Sequence, residues 1–306
     1  MSHLLAQLPL ARFEVNRNAA MRMNPNWLDE VWHQDSTRIV VIHQEKIPVT
    51  DELSLILVKP DFLNLDSKSV KENTCLLGVT SEHTYVAYFS SEDNLTEASW
   101  VSLRAVGAQL SSLEVGLATT ATALNAWHSS HQYCPKCGSL TELTSAGWSR
   151  TCHADKSEHY PRTEPAMIVA VHDENNRILL GRRREWPDSW FSTLAGFIEA
   201  GESAEACVIR EVHEESGIEI DPKSLEYLGS QPWPFPASLM LGYRAKAITT
   251  GLVNDEDEMA EVKWFSHDEF AKACELKTLQ LPNKTTIAWH LIADWYGKPI
   301  PENWSR

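Results

Sequence analysis

The run from Gly196 to Ile218 constrains this chain more than any other stretch. It opens Gly196-Phe197-Ile198-Glu199-Ala200-Gly201-Glu202 and closes Arg210-Glu211-Val212-His213-Glu214-Glu215-Ser216-Gly217-Ile218. As a pattern this is G-x5-E-x7-R-E-U-x-E-E-x-G-U, with U a bulky aliphatic residue. Residues 203 to 216 read as a helix: Ser203 caps the start, and Gly217 is the usual residue just past a helix end. Ala206, Ile209 and Val212 recur at helical spacing and are expected to face a core. Glu211, Glu214 and Glu215 fall three and four apart and share a face. Three like charges there repel, and a bound cation reverses that sign. Hard oxygen ligands suit Mg²⁺ or Mn²⁺, which bind phosphates well. Arg210 stands beside the carboxylates and can fix their orientation. Gly196 and Gly201 let the loop turn and let backbone approach a ligand. A solvated acidic helix face explains each glutamate singly but not the coincidence of all the fixed positions.

At every fixed position the run resembles the Nudix box. The resemblance implies metal-assisted attack of water on a phosphorus of an X-linked nucleoside diphosphate. It implies that Glu211 and Glu215 hold metal, with Glu214 assisting. Glu215 is the expected base that orients or deprotonates the water. Glu202 is expected to be a structural residue of the loop.

Downstream stands Ser230-Gln231-Pro232-Trp233-Pro234-Phe235-Pro236-Ala237-Ser238. Alternating prolines forbid a regular helix and favour a stiff, extended segment. Trp233 and Phe235 supply flat apolar faces, and Gln231 and Ser238 supply polar ends. Such a segment holds a planar base at low entropic cost, or serves as a rigid connector. The SQPWPFPxS run looks like the hallmark of the NADH pyrophosphatase subfamily. The resemblance covers roughly residues 100 to 290. It implies that Gln231, Pro232, Trp233, Pro234, Phe235, Pro236, Ala237 and Ser238 line a dinucleotide site. It further implies cleavage of NADH or NAD⁺ to AMP and the nicotinamide mononucleotide, and removal of an NAD cap from RNA 5′ ends.

Cys134-Pro135-Lys136-Cys137-Gly138 is a zinc-knuckle type of turn, and Cys152 follows. In a C-x2-C-x14-C-x2-C ribbon, Asp155 occupies the place of the fourth cysteine. Three arrangements fit. Asp155 completes a zinc site; His153 or His159 does so instead; or the ribbon stands on packing without metal. The next residues, His159-Tyr160-Pro161-Arg162-Thr163-Glu164-Pro165, resemble the subfamily's link into the catalytic domain, which implies that Tyr160 lies near a bound base. By the same resemblance, in Leu194-Ala195-Gly196-Phe197 the Ala195 carbonyl reaches metal and Phe197 stacks on a base. Glu258 adds a metal ligand, with Glu256 and Glu261 as neighbouring candidates. Ala288 meets substrate through its backbone, and Arg104 reaches a phosphate.

With 306 residues and 43% hydrophobic content the chain has room for two domains and a small module. Residues 1–128 are expected to form an α+β amino-terminal domain, 131–160 a zinc-ribbon-like module and 162–295 a Nudix α/β/α sandwich, an α/β fold. Within the first, Arg38 to His43, Leu53 to Val58 and Thr84 to Phe89 read as strands. Residues 109–128 read as an amphipathic helix with Leu110, Leu113, Leu117 and Leu124 as its stripe. Nothing in residues 1–100 carries readable chemistry. In the catalytic domain Ala166 to Val171 and Arg177 to Gly181 read as a hairpin, Leu225 to Gln231 and Leu239 to Ala247 as further strands, and Thr286 to Tyr296 as a last helix.

A net charge of −15 argues against a broad basic surface for nucleic acid, without forbidding recognition of one capped end. Arg182, Arg183 and Arg184 form a local basic run, read either as the site entrance or as a solvated turn. No apolar run spans a membrane, and no signal peptide is recognised. Cys75, Cys207 and Cys274 read as reduced small hydrophobes, which gives a cytoplasmic expectation. The subfamily resemblance implies a homodimer. Two other functions fit the box: hydrolysis of another nucleoside diphosphate derivative such as ADP-ribose or FAD, and a non-catalytic nucleotide sensor.

Overall fold

The computed structural model describes residues 8–93, 95, 98–253 and 258–306, and these form two compact units. Residues 8–11, 164–232 and 238–306 make one; residues 12–163 and 233–237 make the other. Among the described residues no helix is long and apolar enough to cross a membrane.

The first unit is mixed α/β. Its sheet has the order 226–233, 238–246, 164–172, 178–183, 259–265, and the short strand Leu194–Phe197 also pairs with Glu164–His172. Glu164–His172 runs parallel to Ser238–Lys246 and antiparallel to Ile178–Arg183. Alternation along this central strand sends Ile168 and Ala170 to one face and Met167, Val169 and Val171 to the other. The first face is covered by the helices His267–Glu275 and Ile287–Tyr296, together with Leu8 from the first described residues. The second face is covered by the box helix through Cys207, Val208 and Val212. The strand is thus apolar throughout because both of its faces are buried.

The box helix spans Ala204–Ser216, with the Ser203 hydroxyl accepting from the Ala206 amide and Gly217 at φ 70° past its end. One expectation is corrected here: Ala206 is exposed, and Cys207 and Val208 take the core positions instead. Ala204, Cys207, Val208 and Val212 stand three to four apart along the helix and form the core-facing stripe, and Ala206 falls off it.

The proline-rich run is not an extended connector. Gln231, Pro232 and Trp233 end one strand, Ser238 begins the next, and the prolines shape the hairpin turn between them.

The second unit holds a sheet of order 74–79, 84–90, 37–43, 46–49, 99–102, with Leu57–Val58 also paired to Thr37–His43. Of the expected strand Leu53 to Val58 only the last two residues pair in a strand. Leu53 sits at φ 62°, in a turn closed by its amide to the Thr50 carbonyl. The helix Ser112–Ser130 begins at a capping box, Ser111 with Glu114. It is not amphipathic along its middle, because residues 115–122 are buried without a break. Gly116 shows why: a methyl group there would lie 3.0 Å from the Arg12 carbonyl, so chain crosses the face that a stripe would leave to water.

A polar knot lies under this helix. His128 is 7% exposed, with Nδ1 3.1 Å from Arg150 Nη1 and Nε2 2.9 Å from the Gly147 carbonyl. Arg150 only donates, so Nδ1 must accept and Nε2 carries the proton. Burial lowers the His128 pKa from 6.5 to about 4; the Gly147 carbonyl opposes this shift and the Arg150 charge adds to it. The folded protein therefore takes up this proton less readily than the unfolded chain. The stabilisation is complete above pH 6.5 and is lost as pH falls toward about 4, amounting to about 3 kcal/mol. Denaturant titrations at pH 7 and pH 4.5 are expected to show that loss, and His128→Gln, which cannot titrate, is expected to shrink the difference.

Candidate active site and ribbon

The carboxylates of the box gather at the mouth of one cavity of about 800 Å³. Arg183, Ala195, Phe197, Glu211, Glu214, Glu215 and Glu258 are among its walls. Three side chains of the box helix reach it to different depths. Glu215 is 3% exposed, Glu211 is half-buried and Glu214 is exposed. The Glu215 Oε2 atom is buried and has no hydrogen-bond partner. Burial drives its pKa up to about 8; Arg183 pulls it down, while Glu211 and Glu258 push it higher. Burial also raises Glu211, against the pull of Arg210.

Arg210 organises the rest. Its Nε and Nη2 donate to the two Glu202 oxygens at 2.8 Å, and Nη1 donates to Glu211 and Glu214 at 2.9 Å. Nη2 also reaches the Phe197 carbonyl at 3.1 Å. Glu202 in turn accepts from the Glu199 amide at 3.0 Å. The Arg210 bond, then that amide, hold its pKa down at about 2. Glu202 is thus a loop strut, and Arg210 is the link between loop and helix.

Gly196 is required by contact rather than by turning. A Cβ there would lie 1.9 Å from the Glu211 carboxyl carbon. The glycine leaves the space in which that carboxylate lies flat against strand Leu194–Phe197. Gly201 differs: it sits at φ 88° with open space around it, the conformational use of glycine.

The donor set fits a divalent cation. It offers several carboxylates, one of them buried and lacking any partner for its oxygen, and such a group is costly unless an opposite charge meets it. The Ala195 carbonyl lies on the same wall and now accepts from Arg183 Nη2 at 3.4 Å. Glu258 is exposed at the rim. Glu256 lies outside the described residues. Glu261 pairs instead with Lys263 at 3.4 Å and Arg182 at 3.9 Å. Of the basic run, Arg183 alone lines the cavity; Arg182 also pairs with Asp188 at 3.2 Å.

Other sequence candidates lie elsewhere. Gln231 is fully buried, accepting from the Leu10 amide at 3.3 Å and donating to the Thr285 carbonyl at 3.0 Å. Its amide ties the strand end to the turn Pro9–Ala11 and to the segment before helix Ile287–Tyr296, and is not turned to a ligand. Ala288 is 4% exposed in the core on the sheet face opposite the box helix, so the structure does not bring it to the carboxylates. Phe197 is 58% exposed, with a ring face open at the cavity wall. Within the second unit Trp233 and Phe235 meet edge to face at 4.9 Å, and the Arg104 guanidinium lies 5.2 Å from the Trp233 ring. Tyr160 is exposed and donates to Glu158 at 2.8 Å; it is no core aromatic. Glu185 and Glu199 also line the cavity and carried no signal beyond their nearness to the box.

In the ribbon, Cys134, Cys137, Cys152 and Asp155 bring one ligand atom each within 4.8 Å of one another, the one such group among the described residues. Burial raises the Cys134 thiol, but the Ser157 hydroxyl and the Lys136 and Cys137 amides outweigh it and lower its pKa; at Cys152 the Asp155 amide lowers the thiol, but burial and the Asp155 and Cys137 side chains outweigh it and push it up. One thiol of the cluster is thus eased toward thiolate, the form that binds zinc. His159 is engaged with Ser157 at 3.0 Å and His153 lies 3.6 Å from Glu142. The geometry therefore favours Asp155 as the fourth ligand over either histidine. Bound zinc per chain, measured by plasma emission, is expected to fall well below stoichiometric in Asp155→Ala and to stay near wild type in His153→Ala.

The comparisons agree with this architecture. Residues 162–290 match the family model for the NUDIX domain, and residues 129–160 match the NADH pyrophosphatase zinc ribbon domain. Residues 162–290 are thus a match to a Nudix domain, and the match to the NADH pyrophosphatase zinc ribbon stands ahead of it in the chain. It is 40% identical over 205 residues to the NAD-capped RNA hydrolase NudC of Mycobacterium bovis (strain BCG / Pasteur 1173P2), covering 64% of each chain. It is 36% identical over 199 residues to the human NAD-capped RNA hydrolase NUDT12, covering 61% of this chain and 43% of that one. The match thus spans less than two thirds of these relatives' own length.

Proposed function

We propose that this protein hydrolyses the pyrophosphate of NADH or NAD⁺ to AMP and the nicotinamide mononucleotide, and removes an NAD cap from RNA 5′ ends by the same cleavage. The observation that carries the reading is the buried Glu215 carboxylate, one oxygen of which has no hydrogen-bond partner, beside Glu211 in an intact box, in a chain that also has the NADH pyrophosphatase ribbon. Both relatives are NAD-capped RNA hydrolases, which supports the substrate class.

Glu211, Glu214, Glu215, Glu258 and the Ala195 carbonyl are the groups that would hold Mg²⁺ or Mn²⁺, which supplies Lewis-acid chemistry to a diphosphate. Glu215 orients the attacking water and takes its proton. Arg210 keeps Glu211 and Glu214 from swinging into solvent. Arg183, at the cavity wall, offsets the charge that an anionic substrate adds. Phe197 offers a stacking face for a base. Zinc in the ribbon has a structural role. The same reading carries a homodimer and a cytoplasmic location.

The test is kcat/KM across NADH, NAD⁺, ADP-ribose, FAD and an NAD-capped RNA oligonucleotide, with Mg²⁺ or Mn²⁺. The nicotinamide dinucleotides or the capped RNA are expected to lead. A lead by ADP-ribose or FAD would move the substrate, and binding of NADH without turnover would favour a sensor.

A further inference from the structure

A second cavity, of about 650 Å³, lies wholly in the unit made by residues 12–163. Its walls include Arg150, His128, Lys71, His153, Phe89 and Leu140. Arg150 is 7% exposed, yet among the described residues no carboxylate pairs with it. Its three bonds all go to neutral groups: Nε to the Thr141 hydroxyl at 2.7 Å, Nη2 to the Thr141 carbonyl at 2.9 Å, and Nη1 to His128 at 3.1 Å. A guanidinium has five N–H donors, so one N–H on each terminal nitrogen is left over. A buried cation without a counter-charge is costly, and in a chain of net charge −15 acidic partners are plentiful. Two carboxylates also line the cavity, Glu72 3.9 Å from Lys68 and Glu142 3.6 Å from His153, and neither bonds to Arg150.

His128 does not relieve the charge. Its Nδ1 accepts from Arg150 and its proton is turned to the Gly147 carbonyl, so it is neutral and holds the guanidinium in place. Thr141 fixes the other edge. The result is a rigid, desolvated fork with two N–H groups to spare, with Lys71 exposed on the same wall. Phe89, Leu140 and Leu143 give the cavity apolar surface beside the charge.

We propose that this cavity is a binding site for a phosphomonoester, with Arg150 and Lys71 meeting the phosphate and the apolar wall meeting the body of the molecule. An oxyanion takes a two-point contact from an arginine fork, and a doubly charged one suits two cations. This site is separate from the box carboxylates, and the inference does not depend on the activity proposed above.

The test is isothermal titration of the full chain, zinc loaded and without added Mg²⁺ or Mn²⁺, with inorganic phosphate and with phenyl phosphate. It is run on wild type, Arg150→Met, Lys71→Ser and Glu211→Gln. Wild type is expected to bind both, phenyl phosphate more tightly. Arg150→Met is expected to weaken binding at least about tenfold, and Lys71→Ser a few-fold. Glu211→Gln is expected to leave this binding unchanged. Lys71 is a surface side chain, so Lys71→Ser keeps the test valid if Arg150→Met does not fold. No binding by wild type at millimolar phosphate and phenyl phosphate, binding unaltered in Lys71→Ser, or binding abolished in Glu211→Gln would each overturn the proposal.

Discussion

Glu215→Gln is expected to lower kcat for NADH by at least about a thousandfold while leaving the protein folded. The amide keeps the size and the depth of the side chain but cannot take a proton and is a poor partner for a divalent ion. The second half of that expectation is as informative as the first. The wild-type carboxylate is 3% exposed with one oxygen unpartnered, so its charge destabilises the metal-free protein. Removing the charge is therefore expected to leave the metal-free melting temperature unchanged or raise it. A variant that is inactive because it has unfolded would show the opposite shift, and calorimetry separates the two. Full activity in Glu215→Gln would remove this residue from the chemistry.

Gly196→Ala is expected to be the second severe lesion, with kcat reduced by about a hundredfold or more. The backbone at Gly196 lies in strand Leu194–Phe197, paired to Met167, and alanine tolerates it. The obstacle is the Glu211 carboxyl group, 1.9 Å from where the methyl carbon would stand. That group is the far end of a flexible side chain, so it swings aside at little cost to the fold. In swinging it leaves Arg210 and the cavity wall. The melting temperature is thus expected to move by only a few degrees while activity and Mg²⁺ dependence change strongly. Metal titration of the residual activity checks this, and wild-type metal dependence in Gly196→Ala would show that the Glu211 position is not critical.

How much of this was legible in the residues depends on the length scale of the cause. The box helix announced both its ends, because a serine cap and a left-handed glycine are local chemistry. Arg210 pairing with its neighbours and Glu202 serving the loop were also local consequences of spacing. The strand Glu164–His172 was readable because burial on both faces makes it continuously apolar. By contrast, Ala206 was misplaced because which stripe of a helix meets the sheet is a tertiary property, and here it runs through Ala204, Cys207, Val208 and Val212. The helix Ser112–Ser130 reads as striped, but chain from around Arg12 covers its other side, and no window of sequence contains that contact. Gln231 reads as a ligand-facing amide, yet its partners at Leu10 and Thr285 lie more than fifty residues away on either side. Gly196 hid its reason even within the motif, because the sequence does not show that a glycine that looks like a hinge is the floor under a carboxylate from the next helix. Asp155 in a cysteine's place was visible at once. The choice between it and His153 or His159 needed the positions of Ser157 and Glu142.

The most direct measurement is product analysis after incubation of the wild-type protein with NADH and Mg²⁺ or Mn²⁺. Cleavage at the pyrophosphate predicts AMP and reduced nicotinamide mononucleotide in equal amounts, with none formed when the metal is chelated. Intact NADH, or release of nicotinamide with the diphosphate still whole, would contradict the proposed function.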